Sequence, residues 1–345
     1  MTDRPSPTVR DLGEQGLLER LFRFCPAQVV GDDAALVQVP EGRSLVVTED
    51  VLVDGVHFSI GLAAPDLRTT SPQDAGWRAA AANLSDLAAM GASPLGITVG
   101  LGIPGDLPVV WLEEMYTGML ACLAPSHTSI VGGDICRSPV LTVAIAAFGV
   151  VLPHRVIRRS AAQVGDAIVA TGVHGASRAG LELLLYPEKG AALSEGDRQT
   201  LIHAHQHPTP RLDVIPLLTT LFPDGEPFRV AGMDSSDGLA DAVLQLCQAS
   251  EVGAVLERSH IPIPPAFTSW LSPSQAMDWA LYGGEDFELV LCLPKTKVEA
   301  LKSQLPELHI IGEIVSGNEV WLESDDPTLD AELLQRDRSF QHFSS

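Results

Sequence analysis

The chain has 345 residues, with 44 acidic against 22 basic side chains and a formal net charge of −22. The length suits two α/β domains, and so acidic a surface repels nucleic acid and anionic lipid. The five cysteines are scattered, no stretch reaches eighteen consecutive apolar residues, and the polar N-terminus has no signal-peptide pattern. We therefore expect a soluble cytoplasmic protein with no nucleic-acid or membrane partner.

Short β-branched runs alternate with Ala/Leu-rich helical stretches, a pattern typical of an α/β fold. In the first part of the chain the pattern predicts helices over residues 12–24, 77–90 and 109–123 and strands over 44–50, 95–101, 128–131 and 141–151. Gly91 directly follows the second of these helices, and glycine is the usual residue after a helix C-terminus.

A segment with several arginines and a Gly-Asp turn, residues 153–165, predicts a domain boundary near residue 153. It divides the chain into domains of residues 1–152 and 153–345. Beyond it the pattern predicts strands over 167–171, 228–233, 254–257, 287–293 and 309–314 and helices over 177–185, 195–205 and 238–249.

Acidic residues cluster beside glycines at the ends of predicted strands. These clusters are Gly31-Asp32-Asp33, Thr48-Glu49-Asp50, Gly132-Gly133-Asp134, Asp234-Ser235-Ser236-Asp237-Gly238 and Gly283-Gly284-Glu285-Asp286, and Asp86 lies within the helix over 77–90. Ligands bind at strand ends in α/β sheets, and carboxylate oxygens are the ligands that Mg²⁺ takes. Since like charges destabilise one another unless a cation joins them, the set predicts a polyphosphate site held by several Mg²⁺ ions.

The four lysines of the chain include none beside a glycine-rich turn that opens a helix, which excludes a P-loop. Transfer between two phosphates brings two polyanions together, and metal ions reduce the repulsion. A phosphate monoester is nucleophilic without a general base. The carboxylates are therefore predicted to be metal ligands rather than acid–base catalysts.

Seven sequence motifs together resemble the thiamine-monophosphate kinases, a family of the aminoimidazole ribonucleotide synthetase superfamily. The motifs are GDDAAL at 31–36, TEDVLVDGVHFS at 48–59, NLSDLAAMGASP at 83–94, GGDICRS at 132–138, RRSAAQVGD at 158–166, SSDGLADA at 235–242 and GGEDFEL at 283–289. They follow the order of the family from about residue 12 to the closing SFQHF.

The resemblance implies a two-domain α/β (α+β) fold. The first domain would pair through its sheet in a homodimer, and ATP and substrate would meet in a cleft between the domains. It also implies phosphorylation of thiamine monophosphate to thiamine diphosphate by direct in-line transfer from ATP, assisted by several Mg²⁺ ions.

Site roles follow from the same resemblance, position by position. The implied Mg²⁺ ligands are Asp33, Thr48, Asp50, Asp86, Asp134, Asp234 and Asp237. The implied ATP-binding residues are Tyr116, Gly133, Asp134, Arg159 and Ser236, and the implied substrate contacts are His57, Glu285 and Phe340. Position 49 departs from the family, which usually has Thr or Ser there, so Glu49 either adds a metal ligand or turns away.

Two alternative functions remain open. One is another ATP-using enzyme of the superfamily. Of these, selenophosphate synthetase would need a reactive cysteine in a glycine-rich N-terminal stretch, and Cys25 is not in such a stretch. A carbamoyl-dehydrating maturation factor would need a cysteine near its C-terminus, and the sequence given ends in SFQHFSS. The other alternative is a non-catalytic sensor of nucleotide or thiamine phosphate, against which the intact acidic set argues.

The run His203-Ala204-His205-Gln206-His207 invites a zinc hypothesis. It lies where a predicted helix gives way to Pro208, and alternate residues of a helix do not face one another. We expect these histidines to be exposed or structural.

Overall fold

The computed structural model describes residues 6–27, 34–61 and 66–338. The chain divides into two compact units, the first formed by Met1–Leu87 and Ser93–Val151 and the second by Ala88–Ala92 and Leu152–Ser345. Across the described ranges, every helix is too short or too polar to cross a membrane.

The described residues of the first part of the chain form a four-stranded sheet and three α-helices. In chain order these are α1 (Val9–Leu21), β1 (Ser44–Val53), α2 (Pro72–Ala89), β2 (Ser93–Ile103), α3 (Val109–Leu123), β3 (Ile130–Arg137) and β4 (Thr142–Val151). The strand order is β1-β4-β2-β3, with β2 and β3 parallel and the other neighbours antiparallel. The predicted helix over 109–123 and the strand over 141–151 are confirmed almost to the residue.

Helices α2 and α3 cross at two glycines. A Cβ atom on Gly76 would lie 1.9 Å from the Met115 carbonyl oxygen, and one on Gly118 would lie 2.0 Å from the Gln73 carbonyl oxygen. Only glycine permits so close an approach of two backbones. The Ala-rich sequence of α2 thus serves helix packing, and it buries residues such as Leu84 and Leu87 completely.

Two acidic motifs predicted at strand ends lie inside strands, so that part of the prediction is wrong. Asp50 is in the middle of β1, which pairs with β4 along all ten of its residues. Gly133 and Asp134 are in the middle of β3, where they pair with Val99 and Gly100. Continuous pairing with a neighbouring strand outweighs the local turn preference of Gly-Gly-Asp, because each paired residue satisfies backbone hydrogen bonds.

The rest of the chain forms a seven-stranded sheet with helices. The elements are β5 (Asp166–Thr171), α4 (Ala176–Leu185), α5 (Glu195–Gln206), α6 (Val214–Leu221), β6 (Ala231–Asp234), α7 (Leu239–Ser250), β7 (Gly253–Glu257), α8 (Phe267–Trp270), α9 (Pro273–Tyr282), β8 (Leu289–Pro294), α10 (Lys295–Lys302), β9 (Leu308–Val315), β10 (Val320–Glu323) and β11 (Glu332–Leu333). The strand order is β11-β10-β7-β9-β5-β8-β6, and only β7 and β10 are parallel neighbours. The α/β class is confirmed.

The seven-stranded sheet is covered on both faces. Along β5, Ile168 and Ala170 belong to a cluster that includes Val243 and Leu246 of α7. The alternate residue Val169 belongs to a second cluster, formed with residues of α6 and α10. Because successive side chains of a strand point to opposite faces, the two clusters lie on opposite sides of the sheet.

Strand β8 begins at Leu289, two residues later than the prediction of a strand over 287–293. Phe287 has φ = +54°, and this left-handed conformation cannot belong to an extended strand. Strand β6 is likewise displaced from the predicted 228–233 and ends on Asp234, so this aspartate does lie at a strand end.

His174, between β5 and α4, is completely buried, and among the described residues neither of its ring nitrogens has a partner with good hydrogen-bond geometry. Burial lowers the pKa of His174 from 6.5 to about 3, with a smaller effect of nearby His309. The folded protein therefore keeps this imidazole neutral at pH values where the unfolded chain protonates it. Since the folded pKa is depressed, stability falls as the pH drops below 6.5.

Replacement of His174 by leucine should remove this pH dependence. Between pH 7.5 and pH 5, we expect the wild-type free energy of unfolding to fall by about 2 kcal/mol more than that of His174→Leu. Urea unfolding at both pH values measures the difference. Exposed His154 supplies the control, because His154→Gln should behave like wild type. Equal losses in wild type and His174→Leu would contradict the assignment.

Candidate functional site

Three predicted metal ligands of the first unit lie on one side of its sheet. Thr48 and Asp50 are two residues apart on β1, so their side chains share a face, together with buried Leu52. The Thr48 hydroxyl donates a hydrogen bond to a carboxylate oxygen of Asp86 on α2. The face toward α2 thus offers one hydroxyl and two carboxylates, all of them oxygen donors of the type that Mg²⁺ prefers.

Glu49 lies on the other face of β1. Its neighbours on that face are Val47 and Val51, and all three side chains are exposed. The alternation of the strand therefore turns Glu49 away from Thr48 and Asp50. Of the two alternatives for position 49, the geometry of β1 favours the one in which the glutamate does not join its neighbours.

Asp134 is separated from the Thr48–Asp50 face. Across the four strands, Asp134 of β3 is aligned with Gly100 of β2, Ala144 of β4 and Val51 of β1. Asp50 of β1 belongs to the adjacent row, which contains Ile145, Val99 and Gly133. Asp134 therefore lies on the outer face of the sheet and is exposed. Within the first unit, the structure does not bring Asp134 together with Asp50 and Asp86.

Gly133 is placed where its backbone is accessible and a side chain is not tolerated. The residue is exposed on edge strand β3, yet a Cβ atom there would lie 2.1 Å from the Val99 carbonyl oxygen. A ligand can approach the bare backbone at such a position. For neighbouring Gly132, a Cβ atom would meet only Thr98 Cγ2, at 3.7 Å.

His57 is held by the turn that follows β1. Its Nδ1 accepts a hydrogen bond from the Val53 backbone N–H at 3.1 Å. In the neutral ring the proton is therefore on Nε2. Buried Asp54 accepts a hydrogen bond from the Ile60 backbone N–H at 3.0 Å and stabilises the same turn. Asp54 has a structural role that its place in the motif does not reveal.

Tyr116 is a core residue of α3. It is buried, its ring centroid is 5.3 Å from that of Phe24, and burial raises the pKa of its phenol. A nucleotide would reach this ring only after displacement of its neighbours, so its assignment as an ATP-binding residue stays a prediction.

The turn after β6 carries three predicted site residues of the second unit. Asp234, the last residue of β6, is buried, and its Oδ1 accepts a hydrogen bond from the Ser236 hydroxyl at 3.2 Å. Asp237 is exposed on the same turn, and Gly238 is the residue before α7. A carboxylate, a hydroxyl and a second carboxylate are thus grouped at one strand end.

Arg159 is exposed on a short 3₁₀ turn before β5. Its guanidinium Nη1 donates to Gln245 Oε1 at 2.5 Å, and its carbonyl accepts from the Ser250 hydroxyl at 2.8 Å. Both partners belong to α7, so the arginine is fixed to the helix that follows the Asp234–Asp237 turn.

Glu285 belongs to a loop that is bonded to this turn. Its backbone N–H donates to the Ser236 carbonyl oxygen at 2.7 Å, and the Ser235 N–H donates to the Glu288 carbonyl oxygen at 2.8 Å. The next residue, Asp286, is only 8% exposed and accepts hydrogen bonds from two backbone N–H groups. Burial raises the pKa of Asp286 to about 7, in spite of these two donors.

The three histidines at the end of α5 do not form a zinc site. His203 and His207 stack with ring centroids 4.7 Å apart, while His205 is buried, with its Nδ1 3.0 Å from the Ser177 hydroxyl. In the described ranges no group of three or more His, Cys, Asp or Glu side chains is arranged to hold a metal ion. The burial of His205 and its contact with Ser177 support a structural role for this histidine, and its Nδ1 also lies 3.8 Å from Glu285 Oε2, which was not predicted.

Asp33 and Phe340 lie outside the described residues. Of the remaining predicted residues, Thr48 and Asp86 are in contact, and Asp234 and Ser236 are in contact. The predicted set therefore appears as two local groups of oxygen donors, one in each unit.

Two family models match most of the chain. The model for the N-terminal domain of AIR synthase related proteins matches residues 31–151, and the model for the C-terminal domain matches residues 163–323. The chain therefore belongs to the AIR synthase related family, and the predicted two-domain fold is confirmed.

Similarity to individual proteins identifies a narrower group. The chain is 52% identical over 346 residues to a curated thiamine-monophosphate kinase of Synechococcus elongatus, with 100% of both chains covered. It is 31% identical to the crystal structure of thiamine-monophosphate kinase from Stenotrophomonas maltophilia K279a, with 90% of this chain and 95% of that chain covered and a TM-score of 0.75. A structure of AaThiL complexed with AMPPCP and TMP is 29% identical, covers 94% and 98% of the two chains, and has a TM-score of 0.71. Within its family the chain is thus one of the thiamine-monophosphate kinases, and the prediction of a kinase is confirmed.

The two glycines before Asp134 should differ sharply in their tolerance of a methyl group. We expect Gly133→Ala to lower the free energy of unfolding by about 2 kcal/mol, because the new Cβ would clash with the backbone of β2. Gly132→Ala is the matched control and should be nearly neutral. Thermal unfolding of both variants measures the contrast, and indistinguishable midpoints would show that β3 is not held against Val99 as described.

Proposed function

We propose that this chain transfers the terminal phosphoryl group of ATP to the phosphate of thiamine monophosphate, forming thiamine diphosphate and ADP. The observation that carries the proposal is 52% identity over the full length to a curated thiamine-monophosphate kinase. The related structure with AMPPCP and TMP supports the same pair of ligands for this chain.

Several Mg²⁺ ions would complete the site. The donor set fits them, since Thr48, Asp50 and Asp86 offer only oxygen atoms on one face and Asp234 and Asp237 offer carboxylates at a strand end. We assign Asp33 and Asp134 to the same role on the resemblance alone. When bound, Mg²⁺ supplies positive charge that offsets the repulsion between donor and acceptor phosphates and aligns them for in-line transfer.

The protein's own groups would mainly bind and orient the two substrates. The exposed guanidinium of Arg159 can donate two hydrogen bonds to phosphate oxygens, and the bare backbone at Gly133 permits close approach of the nucleotide. Ser236 and, on the resemblance, Tyr116 would complete the contacts to the nucleotide. His57, Glu285 and, on the resemblance alone, Phe340 are assigned to the acceptor. No side chain needs to remove a proton, because the acceptor phosphate is already ionised at neutral pH.

Incubation of the purified chain with ATP, Mg²⁺ and thiamine monophosphate tests the proposal directly. Chromatography should detect thiamine diphosphate and ADP in equal amounts, and EDTA should abolish both. A parallel reaction without acceptor measures background ATP hydrolysis. Folded protein that binds ATP and forms no thiamine diphosphate would reject the proposal in favour of a sibling activity or a sensor.

Neighbouring acids on β1 provide a matched pair of variants. Asp50→Asn should reduce turnover by about 100-fold or more, because it removes one charged ligand from the site that stabilises the transferred phosphoryl group. Glu49→Gln should change turnover by less than about twofold, because Glu49 faces away from Asp50. Steady-state rates at saturating substrates, with thermal unfolding to verify folding, measure both. Near-wild-type turnover of Asp50→Asn would contradict the metal assignment.

We also propose that the chain forms a homodimer through the outer face of its four-stranded sheet. This face carries Leu45, Val47 and Val51 of β1, with the last two 57% and 47% exposed. On neighbouring β4, Ala144 and Ala146 are only half-buried. Exposed apolar side chains on a sheet are characteristic of an interface, and a second copy of the same sheet would cover these residues together with Glu49, which lies between Val47 and Val51 on this face.

A charge placed on this face should break the dimer. Val47→Asp would bury a second carboxylate beside Glu49 and remove an apolar side chain from the contact, so we expect a monomer by sedimentation at micromolar concentration while wild type sediments as a dimer. Val164→Asp is the control, since Val164 is 60% exposed in the second unit and outside the proposed interface. A wild-type monomer, or a Val47→Asp dimer, would count against this interface.

A further inference from the structure

The loop between α9 and β8 contains two strained residues. Glu285 has φ = +67° and Phe287 has φ = +54°, although neither is a glycine. Such conformations are unfavourable for residues with a side chain, and they persist only where the surrounding structure holds them. The contacts that hold this loop therefore determine where the Glu285 carboxylate lies.

Asp286, between the two strained residues, anchors the loop to α4. One carboxylate oxygen accepts a hydrogen bond from the Gly175 N–H at 2.6 Å, and the other accepts one from the Ser177 N–H at 2.8 Å. N–H groups in the first turn of a helix have no partner within the helix, so the carboxylate satisfies two of them. Its burial indicates that Asp286 faces the protein rather than a ligand.

A second connection reaches the Glu285 side chain. The Ser177 hydroxyl lies 3.0 Å from His205 Nδ1, and the same nitrogen lies 3.8 Å from Glu285 Oε2. His205 and Ser177 are both buried, whereas Glu285 is partly exposed. Ser177 therefore binds Asp286 through its backbone N–H and His205 through its hydroxyl, and the same His205 nitrogen faces the carboxylate of Glu285.

We infer that Asp286 is a positioning residue that, with Ser177 and His205, sets the orientation of Glu285 and thereby the affinity for the phosphoryl acceptor. The inference rests on the proposed function, in which Glu285 contacts thiamine monophosphate. That acceptor carries a thiazolium cation, whose charge an oriented carboxylate complements. Asp286 itself acts through Glu285 and does not touch the substrate.

The two substrates should respond differently to loss of the anchor. In Asp286→Asn, an NH₂ group replaces one acceptor oxygen and faces an N–H donor, so one anchoring bond is lost. The Ser235–Ser236 turn keeps its own backbone bonds to the loop, including Ser235 N–H to the Glu288 carbonyl. The KM for thiamine monophosphate should therefore rise about tenfold, while the KM for ATP should change by less than about twofold.

A double-mutant cycle tests whether Asp286 acts through Glu285. Kinetic constants for both substrates are measured in wild type, Glu285→Gln, Asp286→Asn and the double variant. If Asp286 positions Glu285, the double variant is no more impaired than Glu285→Gln alone, because the second change has nothing left to displace. The inference would be overturned if the effects of the two single changes on KM multiplied in the double variant, or if KM rose equally for both substrates.

Ser194→Ala provides a control for loss of stability alone. Ser194 is the N-cap of α5, at the opposite end of that helix from His205, and its hydroxyl accepts from the Asp197 N–H. This variant should lower the unfolding temperature and leave both KM values unchanged. If Asp286→Asn does not fold, the same cycle is run with His205→Leu in its place. His205→Asn keeps a polar atom near the position of Nδ1 and should therefore restore the KM for thiamine monophosphate.

The outcomes separate the inference from the proposed function. If wild type forms no thiamine diphosphate, the proposed function fails and the inference fails with it. If wild type is active and the cycle is additive, the function stands and only the positioning role of Asp286 is rejected. If wild type is active and the cycle is non-additive for the acceptor alone, both stand.

Discussion

The alternation of side chains along β1 is the constraint on which the rest of the first unit depends. Because successive residues of a strand point to opposite faces, Thr48 and Asp50 face α2 while Val47 and Glu49 face outward. One ten-residue strand thereby supplies oxygen donors to a site on one face and apolar surface on the other. A shift of the β1–β4 register by one residue would exchange the two faces and remove both features.

In the second unit the comparable constraint is the backbone bonding between two loops. The Asp234–Asp237 turn and the loop at Glu285 exchange backbone hydrogen bonds, and Asp286 fastens the second loop to the start of α4. These hydrogen bonds explain how Glu285 and Phe287 are both held in left-handed conformations within one loop. The strain is offset by hydrogen bonds that only this geometry makes, and the result is a carboxylate at a defined position.

Electrostatics divides the acidic residues into two groups with different roles. The buried carboxyl group of Asp286 accepts hydrogen bonds from two backbone N–H groups, and burial raises its pKa to about 7, so its partners are within the protein. The carboxylates at Asp50, Asp86 and Asp237 are at least partly exposed and lie in separate groups. With a net charge of −22, the chain can approach a polyphosphate only if cations intervene, which explains why carboxylates rather than lysines mark the proposed site.

The α/β class, the order of the motifs and the chemistry of the donors could be predicted without the fold, because periodicity and residue type are local properties. The pattern predicted α3 and β4 almost to the residue, since their hydrophobic patterns are long and regular. The position of Asp50 and Asp134 inside strands and on opposite faces could not be predicted in this way, because strand length and register depend on the partner strand. Likewise, His205 and Asp286 both contact Ser177, which is far from each of them in sequence, and no local pattern encodes these contacts.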